Sequence, residues 1–261
     1  MDTDARHTER DRSSGPEDGT EEGSRSSRAP APETARTAWG RVALLGALCA
    51  VALLLFSAFV LQPFLIPSGS MEPTLRVGDR VLVNKLAYRF GSEPRRGDVV
   101  VFDGTGSFVP ETPGDDSVGS LLRGVAASLG LGEPVETDFV KRVVGVGGDH
   151  VVCCDERGRI EVNGDPVDEE YVHQGDKPSQ VAFDIEVPDG RLWMMGDHRS
   201  RSRDSRDHLG QPGGGMVPVD RVVGRVDWLG WPFGRLGSLD GTDAFTGIAS
   251  AGIRPAGADR G

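Results

Sequence analysis

A serine in a constrained turn and one of very few lysines are the residues of this chain best suited to catalysis. Ser70 lies between Pro67 and Pro73, which restrict the backbone on both sides of it. Lysine and arginine together number 29, yet only three of these residues are lysines, and Lys141 is one of them. A buried lysine can lose its proton, whereas an arginine cannot. The two residues therefore suggest a Ser-Lys nucleophilic pair.

Lys141 lies in an apolar run, 139–145, that the sequence predicts as a strand. Burial in such a strand disfavours the ammonium form, which lowers the lysine pKa and leaves a lone pair that can act as a base. One alternative is a strand-edge lysine whose ammonium reaches water. A second alternative is a histidine base in a Ser70-His198-Asp204 triad.

The composition argues against nucleic-acid and metal-binding functions. The formal net charge of −11 disfavours a nucleic-acid partner, because phosphates are bound by basic surfaces. Three cysteines are too few for a disulfide framework, and a bridge between the neighbours Cys153 and Cys154 is geometrically strained. His150 lies near both cysteines, but no second ligand cluster follows at zinc-site spacing. We therefore expect no metal, no cofactor, and cysteines that act as small buried apolar side chains.

The N-terminal part of the chain is predicted to contain a disordered tail and a membrane anchor. Residues 1–38 are rich in Ser, Pro, Gly and charged residues, so they cannot bury enough apolar surface to fold. Residues 42–61 carry no charge and have no polar face, which predicts a transmembrane helix over 39–62. A cleaved signal peptide is the alternative, but the leader is too long and no A-x-A site follows the apolar stretch.

Arginines before the apolar stretch predict its orientation. Arg28, Arg36 and Arg41 precede it, and the first cation after it is Arg76. By the positive-inside rule the tail lies in the cytoplasm and residues 62–261 lie outside. The chain is then a single-pass plasma-membrane protein with an extracytoplasmic domain over 63–233.

Short β-branched runs between Gly and Asp turns fill the region after the span. They predict strands near 79–85, 98–102, 139–145, 150–153, 159–163, 183–187, 191–195 and 216–226. Because no helices alternate with these runs, we expect antiparallel sheets. Apolar residues at helical spacing in 118–129 predict one amphipathic helix, either docked on the sheet or resting on the membrane surface. Residues 234–261 are rich in Gly, Ala and Asp and are expected to form a flexible tail.

Four segments behind the anchor resemble the motif boxes of one enzyme family. Residues 68–74 (Ser-Gly-Ser-Met-Glu-Pro-Thr) resemble the nucleophile box, and residues 78–85 resemble the strand box that follows it. Residues 141–149 resemble the base box, and residues 196–206 resemble the final box. In order and spacing, the chain resembles the bacterial type I signal peptidases, the leader peptidases that release exported proteins, over roughly residues 40–232. Its low lysine content resembles that of proteins from high-GC actinobacteria.

The resemblance implies a role for several residues in these boxes. Ser70 is the implied nucleophile, and Lys141 is the implied general base. Ser68 and the backbone N–H of Ser70 form the implied oxyanion hole, and Ser202 resembles the serine that orients the lysine. The implied supporting ion pairs are Asp204 with Arg206 and Asp197 with Arg142.

Three features depart from the family pattern, and none touches Ser70 or Lys141. His198 stands where many members have asparagine. The segment over about 103–138 is a sizeable insertion. The second β subdomain, over about 153–190, is expected to be reduced because its insert is short.

The resemblance implies a mainly β fold: an antiparallel β-sheet catalytic domain with a small β insertion, anchored by one N-terminal transmembrane helix. The implied activity is that of a membrane-bound serine endopeptidase that cleaves N-terminal signal peptides from exported preproteins after A-x-A-like sites. The implied partners are signal peptides of secreted preproteins, the lipid bilayer and the export translocon.

Two alternative functions stay open at this point. A self-cleaving Ser-Lys peptidase of the repressor type would need an N-terminal DNA-binding domain, where this sequence has a polar tail and an apolar span. An inactive, membrane-anchored β binding module is the other alternative. The joint presence of Ser70, Lys141 and Ser202 argues against it.

Overall fold

The computed structural model describes residues 33–109, 137–211, 213–239 and 241–249. The chain divides into two compact units, Met1–Gly46 and Ala47–Gly261. The described part of the first unit is the beginning of helix α1, which spans Glu33–Phe59. The segment Trp39–Phe56 of α1 has a mean hydropathy of 2.1 and is long and apolar enough to cross a membrane. The helix begins within the predicted disordered tail 1–38, and residues 1–32 lie outside the described residues.

Twelve strands follow α1 in the part of the chain that the structure describes, and they form two sheets. In chain order they are β1 (Leu61–Leu65), β2 (Arg80–Asn84), β3 (Val99–Asp103), β4 (Asp138–Val146), β5 (His150–Cys153), β6 (Ile160–Val162), β7 (Asp165–Pro166), β8 (Phe183–Glu186), β9 (Arg191–Met195), β10 (Val217–Pro218), β11 (Val222–Trp231) and β12 (Gly237–Ser238). The larger sheet has the order β1-β2-β11-β3-β4-β9-β10, with β12 paired to β11, and the smaller has the order β7-β6-β5-β8. All the strand pairings are antiparallel.

Local sequence explains much of this arrangement. In β2 the buried Val81 and Val83 alternate with more exposed neighbours, which is the pattern of a strand with one face on a core. The turn between β6 and β7 uses Asn163 and Gly164, whose φ values of 57° and 85° suit a two-residue hairpin of type I′. The antiparallel, mainly β fold with one N-terminal apolar helix is therefore confirmed.

The two sheets share an apolar core. Trp193 and Met195 of β9 in the large sheet pack in one cluster with Val151, Ile160 and Phe183 of the small sheet. Trp193 and Met195 are fully buried. This packing fixes the small sheet against the strand that leads directly into residues 196–206, the predicted final box.

Two features of the fold differ from the sequence-based expectations. Strand β1 directly follows α1, in a segment that was not predicted as a strand. In the predicted flexible tail, Phe245 is buried in the core shared by the sheets, and Arg96 donates hydrogen bonds to the carbonyl oxygens of Ile248 and Ala249. These contacts hold the described part of the tail, 234–239 and 241–249, on the β domain.

The cysteine expectation needs a correction. Cys153 is buried as predicted for a small apolar side chain, but the structure joins it by a disulfide to its exposed neighbour Cys154. Cys153 and Cys154 are joined by one peptide bond, so each thiol is the nearest possible disulfide partner of the other. The predicted amphipathic helix at 118–129 and most of the insertion at 103–138 lie outside the described residues.

Candidate active site

Ser70 lies in a short 3₁₀ turn, Gly69–Met71, which packs on the core of the large sheet through apolar side chains. Met71 and Leu75 are 1% and 0% exposed, and they pack with Val81 and Val99 of strands β2 and β3. The N–H of Glu72 donates to the carbonyl oxygen of Gly69 and closes the turn. This packing holds the backbone of the turn, and with it the Cα of Ser70, against the core of the sheet.

Lys141 approaches Ser70 from strand β4, which is paired with β3 on one side and β9 on the other. Its Nζ lies 2.7 Å from the Ser70 Oγ, and the two residues are only 4% and 8% exposed. Burial lowers the pKa of Lys141 from 10.5 to about 8, against the opposing attraction of Asp204 and Asp197. A substantial neutral fraction near pH 8 allows this amine to accept a proton from the hydroxyl.

Ser68 precedes the turn and is exposed. Its hydroxyl lies 3.4 Å from the Ser70 Oγ, at the long end of hydrogen-bond distance. The Ser68 hydroxyl is therefore close enough to donate a hydrogen bond to the oxygen of a substrate carbonyl that Ser70 attacks.

Gly196 lies closely packed between Ser202 and the backbone of the nucleophile turn. The Ser202 hydroxyl is buried beside Asp204 and helps to lower the pKa of that carboxyl, although it makes no hydrogen bond of good geometry with a described residue. A side chain at Gly196 would collide with that hydroxyl and with the carbonyl oxygen of Ser70. Glycine is therefore needed where the final box passes the nucleophile, since any Cβ would push the two segments apart.

The loop after β9 is braced by a buried ion pair between Asp204 and Arg206. The guanidinium of Arg206 donates to both Asp204 oxygens at 2.8 Å, and the Gly196 N–H donates to the same carboxylate at 3.0 Å. Burial opposes the charge of Asp204, but the hydrogen bonds from Arg206 hold the pKa of this carboxyl below its usual value. Arg206 also donates to the carbonyl oxygen of Arg199, which tightens the loop.

A second buried ion pair joins the base-bearing strand to the nucleophile segment. Arg142 donates to the two oxygens of Asp197 at 2.8 and 2.7 Å, and Thr74 donates to Asp197 at 2.5 Å. Arg142 also donates to the carbonyl oxygen of Gly97 and lies 4.1 Å above the ring of Tyr171. Thr74 and Tyr171 were not singled out in the sequence, although Thr74 ends the nucleophile box.

The alternative histidine triad does not form among the described residues. The backbone N–H of His198 donates to the Ser70 carbonyl oxygen, and its Nδ1 lies 3.2 Å from the Gly69 carbonyl oxygen. The carboxylates near its ring are those of Glu72 and Asp176, whereas Asp204 is engaged by Arg206. His198 therefore contacts the backbone of the nucleophile turn rather than forming a relay to the hydroxyl.

Comparison with known proteins identifies the family. A family model described as signal peptidase, peptidase S26, matches residues 37–231. The chain belongs to the signal peptidase family, peptidase S26. The resemblance proposed from the sequence is confirmed, and so is the enzyme class, a signal peptidase I hydrolase.

Related signal peptidases align over most of their length. A probable signal peptidase I of Mycobacterium leprae is 39% identical over 218 residues, which cover 72% of this chain and 75% of the relative. Signal peptidase I of Mycobacterium tuberculosis is 39% identical over 217 residues, or 75% of this chain and 73% of the relative. A solved signal peptidase I from Enterococcus faecalis has 23% identity and a TM-score of 0.32, covering 51% of this chain and 97% of that one.

Proposed function

We propose that this protein is a membrane-bound serine endopeptidase that removes signal peptides from exported preproteins, with Ser70 as nucleophile and Lys141 as general base. The single observation that carries the proposal is the buried 2.7 Å contact between the Lys141 Nζ and the Ser70 Oγ. Membership of the signal peptidase family supports serine-peptidase cleavage of signal peptides as the reaction.

The geometry supports a two-step acyl transfer. The neutral amine of Lys141 takes the hydroxyl proton of Ser70 while the oxygen attacks the scissile carbonyl. The developing oxyanion is held by the Ser70 N–H and the Ser68 hydroxyl. The protonated lysine then gives its proton to the leaving amine, which releases the mature protein. A water that loses its proton to Lys141 attacks the acyl-enzyme, and Lys141 then returns this proton to the departing Ser70 oxygen, which frees the signal peptide and restores the neutral amine.

Supporting residues keep the pair aligned. We assign the buried hydroxyl of Ser202 the role of orienting the Lys141 amine, on the basis of its place in the final box. The Arg142–Asp197 pair holds Thr74 and hence the nucleophile segment against β4. The Asp204–Arg206 pair holds the final box, including Gly196, against Ser70.

The membrane anchor supports the choice of substrate. Ser70 follows Leu61, the end of the charge-free stretch, so closely that the chain can carry it at most about 30 Å from the bilayer. A signal peptide is cleaved just beyond its own apolar segment, so a tethered enzyme meets this bond at high effective concentration. We propose small side chains, usually Ala, at the third and first positions before the cut, in a peptide bound as an extended strand.

The proposed location follows from the arginines before the span. Arg28, Arg36 and Arg41 favour a cytoplasmic N-terminus and an extracytoplasmic catalytic domain. This side of the membrane is where signal peptides emerge, so the lipid bilayer and the export translocon are the proposed neighbours.

The test is to incubate the purified full-length protein in detergent with a preprotein that carries an A-x-A site, and to sequence the new N-terminus. Cleavage directly after the A-x-A segment by the wild type, and none by Ser70→Ala, is the expected result. Cleavage elsewhere, or equal cleavage by Ser70→Ala, would contradict the proposal.

A further inference from the structure

Three possible metal ligands from separate segments meet beside the nucleophile turn. Glu72 directly follows the turn, His173 lies in the loop between β7 and β8, and His198 lies just after β9. One ligand atom from each of the three lies within 4.8 Å of the other two. The proposed catalysis uses none of these side chains. We propose that Glu72, His173 and His198 form a binding site for one transition-metal cation of the Zn²⁺ type.

The donor set favours such a cation over a hard one. Two imidazole nitrogens and one carboxylate oxygen suit Zn²⁺ and its neighbours, whereas Ca²⁺ and Mg²⁺ prefer oxygen ligands only. Three protein ligands leave the fourth position of a tetrahedral ion for water.

The spacing between two of the donors already fits one ion. Bonds of about 2.0–2.2 Å to nitrogen and oxygen place two ligands of a tetrahedral ion roughly 3.4 Å apart. The Nδ1 of His198 and the Oε2 of Glu72 are 3.6 Å apart. The Gly69 carbonyl oxygen also lies 3.2 Å from this Nδ1, so an ion that enters between Nδ1 and Oε2 must displace that carbonyl group or bind it as a further ligand.

Asp176 lies near the second ring nitrogen of His198, Nε2, whereas Glu72 lies near Nδ1. Its carboxylate lies 4.0 Å from the His198 Nε2 and is held in place by the N–H of Ser200 at 3.0 Å. A metal-bound histidine usually donates its other ring N–H to such a carboxylate, which orients the ring and strengthens the ligand. Nδ1 now donates its hydrogen to the Gly69 carbonyl oxygen, so it can bind the ion only after that hydrogen has moved to Nε2, on the side of Asp176.

His173 must turn to join the ion. Its ring is stacked on that of His198, with the centroids 3.9 Å apart and the planes at 3°, so their lone pairs run parallel. His173 is only partly buried, and the terminal ring torsion of histidine is broad, so rotation about its Cβ–Cγ bond can direct a nitrogen to the ion. His198 is 6% exposed and fixed by its N–H to the Ser70 carbonyl oxygen, so it serves as the rigid ligand.

An occupied site would act on the nucleophile turn directly. The His198 Nδ1 now contacts the Gly69 carbonyl oxygen at 3.2 Å, and a bound cation replaces that contact. Because Glu72 follows the same turn, the ion ties the His173 loop to the segment that carries Ser70. A bound ion would therefore affect the position of the nucleophile turn, although the proposed reaction itself needs no metal.

The test is a calorimetric titration of the chelator-treated, full-length protein in detergent with Zn²⁺, with Co²⁺ absorption as a second readout. We expect one ion to bind per chain, and each of Glu72→Gln, His173→Ala and His198→Asn to weaken binding at least tenfold, since even outer-shell partners are worth about 10–100-fold. His150→Ala, which removes an exposed histidine paired with Asp184, is the matched control and should bind Zn²⁺ like the wild type.

Thermal unfolding is a further readout, and a cooperative transition of each variant in the absence of metal shows that the variant is folded. Zn²⁺ should raise the Tm of the wild type and of His150→Ala, but not that of the three ligand variants. Ser70→Ala should bind Zn²⁺ as the wild type does. The metal site can therefore be confirmed or refuted independently of the proposed peptidase activity. Unchanged affinity in the three ligand variants, or equal loss in His150→Ala, would overturn the metal site.

Discussion

The guanidinium of Arg142 and the carboxylate of Asp197 form a buried ion pair that connects the two halves of the candidate site. Arg142 directly follows Lys141 in β4, and Asp197 directly follows Gly196 in the final box. Asp197 also accepts from Thr74 of the nucleophile segment. One ion pair thus sets the position of the base-bearing strand relative to the nucleophile segment.

The first prediction concerns this pair. Asp197→Asn leaves the Arg142 guanidinium buried without a counter-charge, so the free energy of unfolding should fall by about 3–5 kcal/mol. Asp103→Asn is the matched control, because Asp103 pairs with Arg221 at the surface, with side chains 32% and 39% exposed. It should cost about 1 kcal/mol or less. Chemical denaturation measures both values, and equal costs would refute the argument.

The second prediction concerns the base itself. Lys141→Arg keeps the charge but cannot deprotonate, so cleavage of a preprotein should fall by several orders of magnitude, as in Ser70→Ala. The double variant should be little worse than either single one, because nucleophile and base act as a unit. His198→Asn should keep substantial activity. An active Lys141→Arg beside an inactive His198→Asn would replace the lysine base with a histidine.

The third prediction is a pH profile. The base works only as a neutral amine, and the pKa of Lys141 is lowered to about 8. Cleavage should therefore rise about tenfold per pH unit below pH 7 and level off above about pH 9. Initial rates on a signal-peptide substrate, measured over the range in which the protein stays folded, give the midpoint. A midpoint near 6.5, the ordinary pKa of histidine, would speak against Lys141.

The fourth prediction tests the close approach at Gly196. In Gly196→Ala the new methyl group overlaps the Ser202 hydroxyl and the Ser70 carbonyl oxygen, so the nucleophile must shift. A displacement near 1 Å lowers cleavage by about 100-fold. Gly210→Ala is the control, because nothing lies within 4 Å of a Cβ built there. Similar activity of the two variants would show that the site tolerates the added atom.

The fifth prediction concerns topology. Arg28, Arg36 and Arg41 should hold the N-terminus in the cytoplasm. Protease added to intact protoplasts should then degrade the β domain and spare the tail, as followed with antibodies to each part. Protection of the β domain would reverse the orientation.

The sequence alone determined the local features of this protein. The apolar stretch of α1 and the β-branched runs of strands such as β3 and β4 are visible because helix and strand depend mainly on neighbouring residues. Ser70 and Lys141 stood out because a constrained serine and a scarce lysine are unusual by themselves. Family membership follows from the order and spacing of the four boxes, which is also a property of the linear chain.

Only the tertiary structure decided the features that depend on the pairing of strands and on contacts between distant parts of the chain. Strand β1 was missed because its Leu-Gln-Pro-Phe-Leu sequence has no regular alternation, and pairing with β2 supplies the missing signal. Phe245 gave no sign of burial, because the residues of its cluster, such as Tyr171, are far from it in the sequence.

The same reason applies to the candidate metal site. Glu72, His173 and His198 are far apart in the chain and match no ligand spacing, so the sequence predicted no metal. The folded chain brings them together because the packing of the two sheets, and not the distance along the chain, sets which side chains meet.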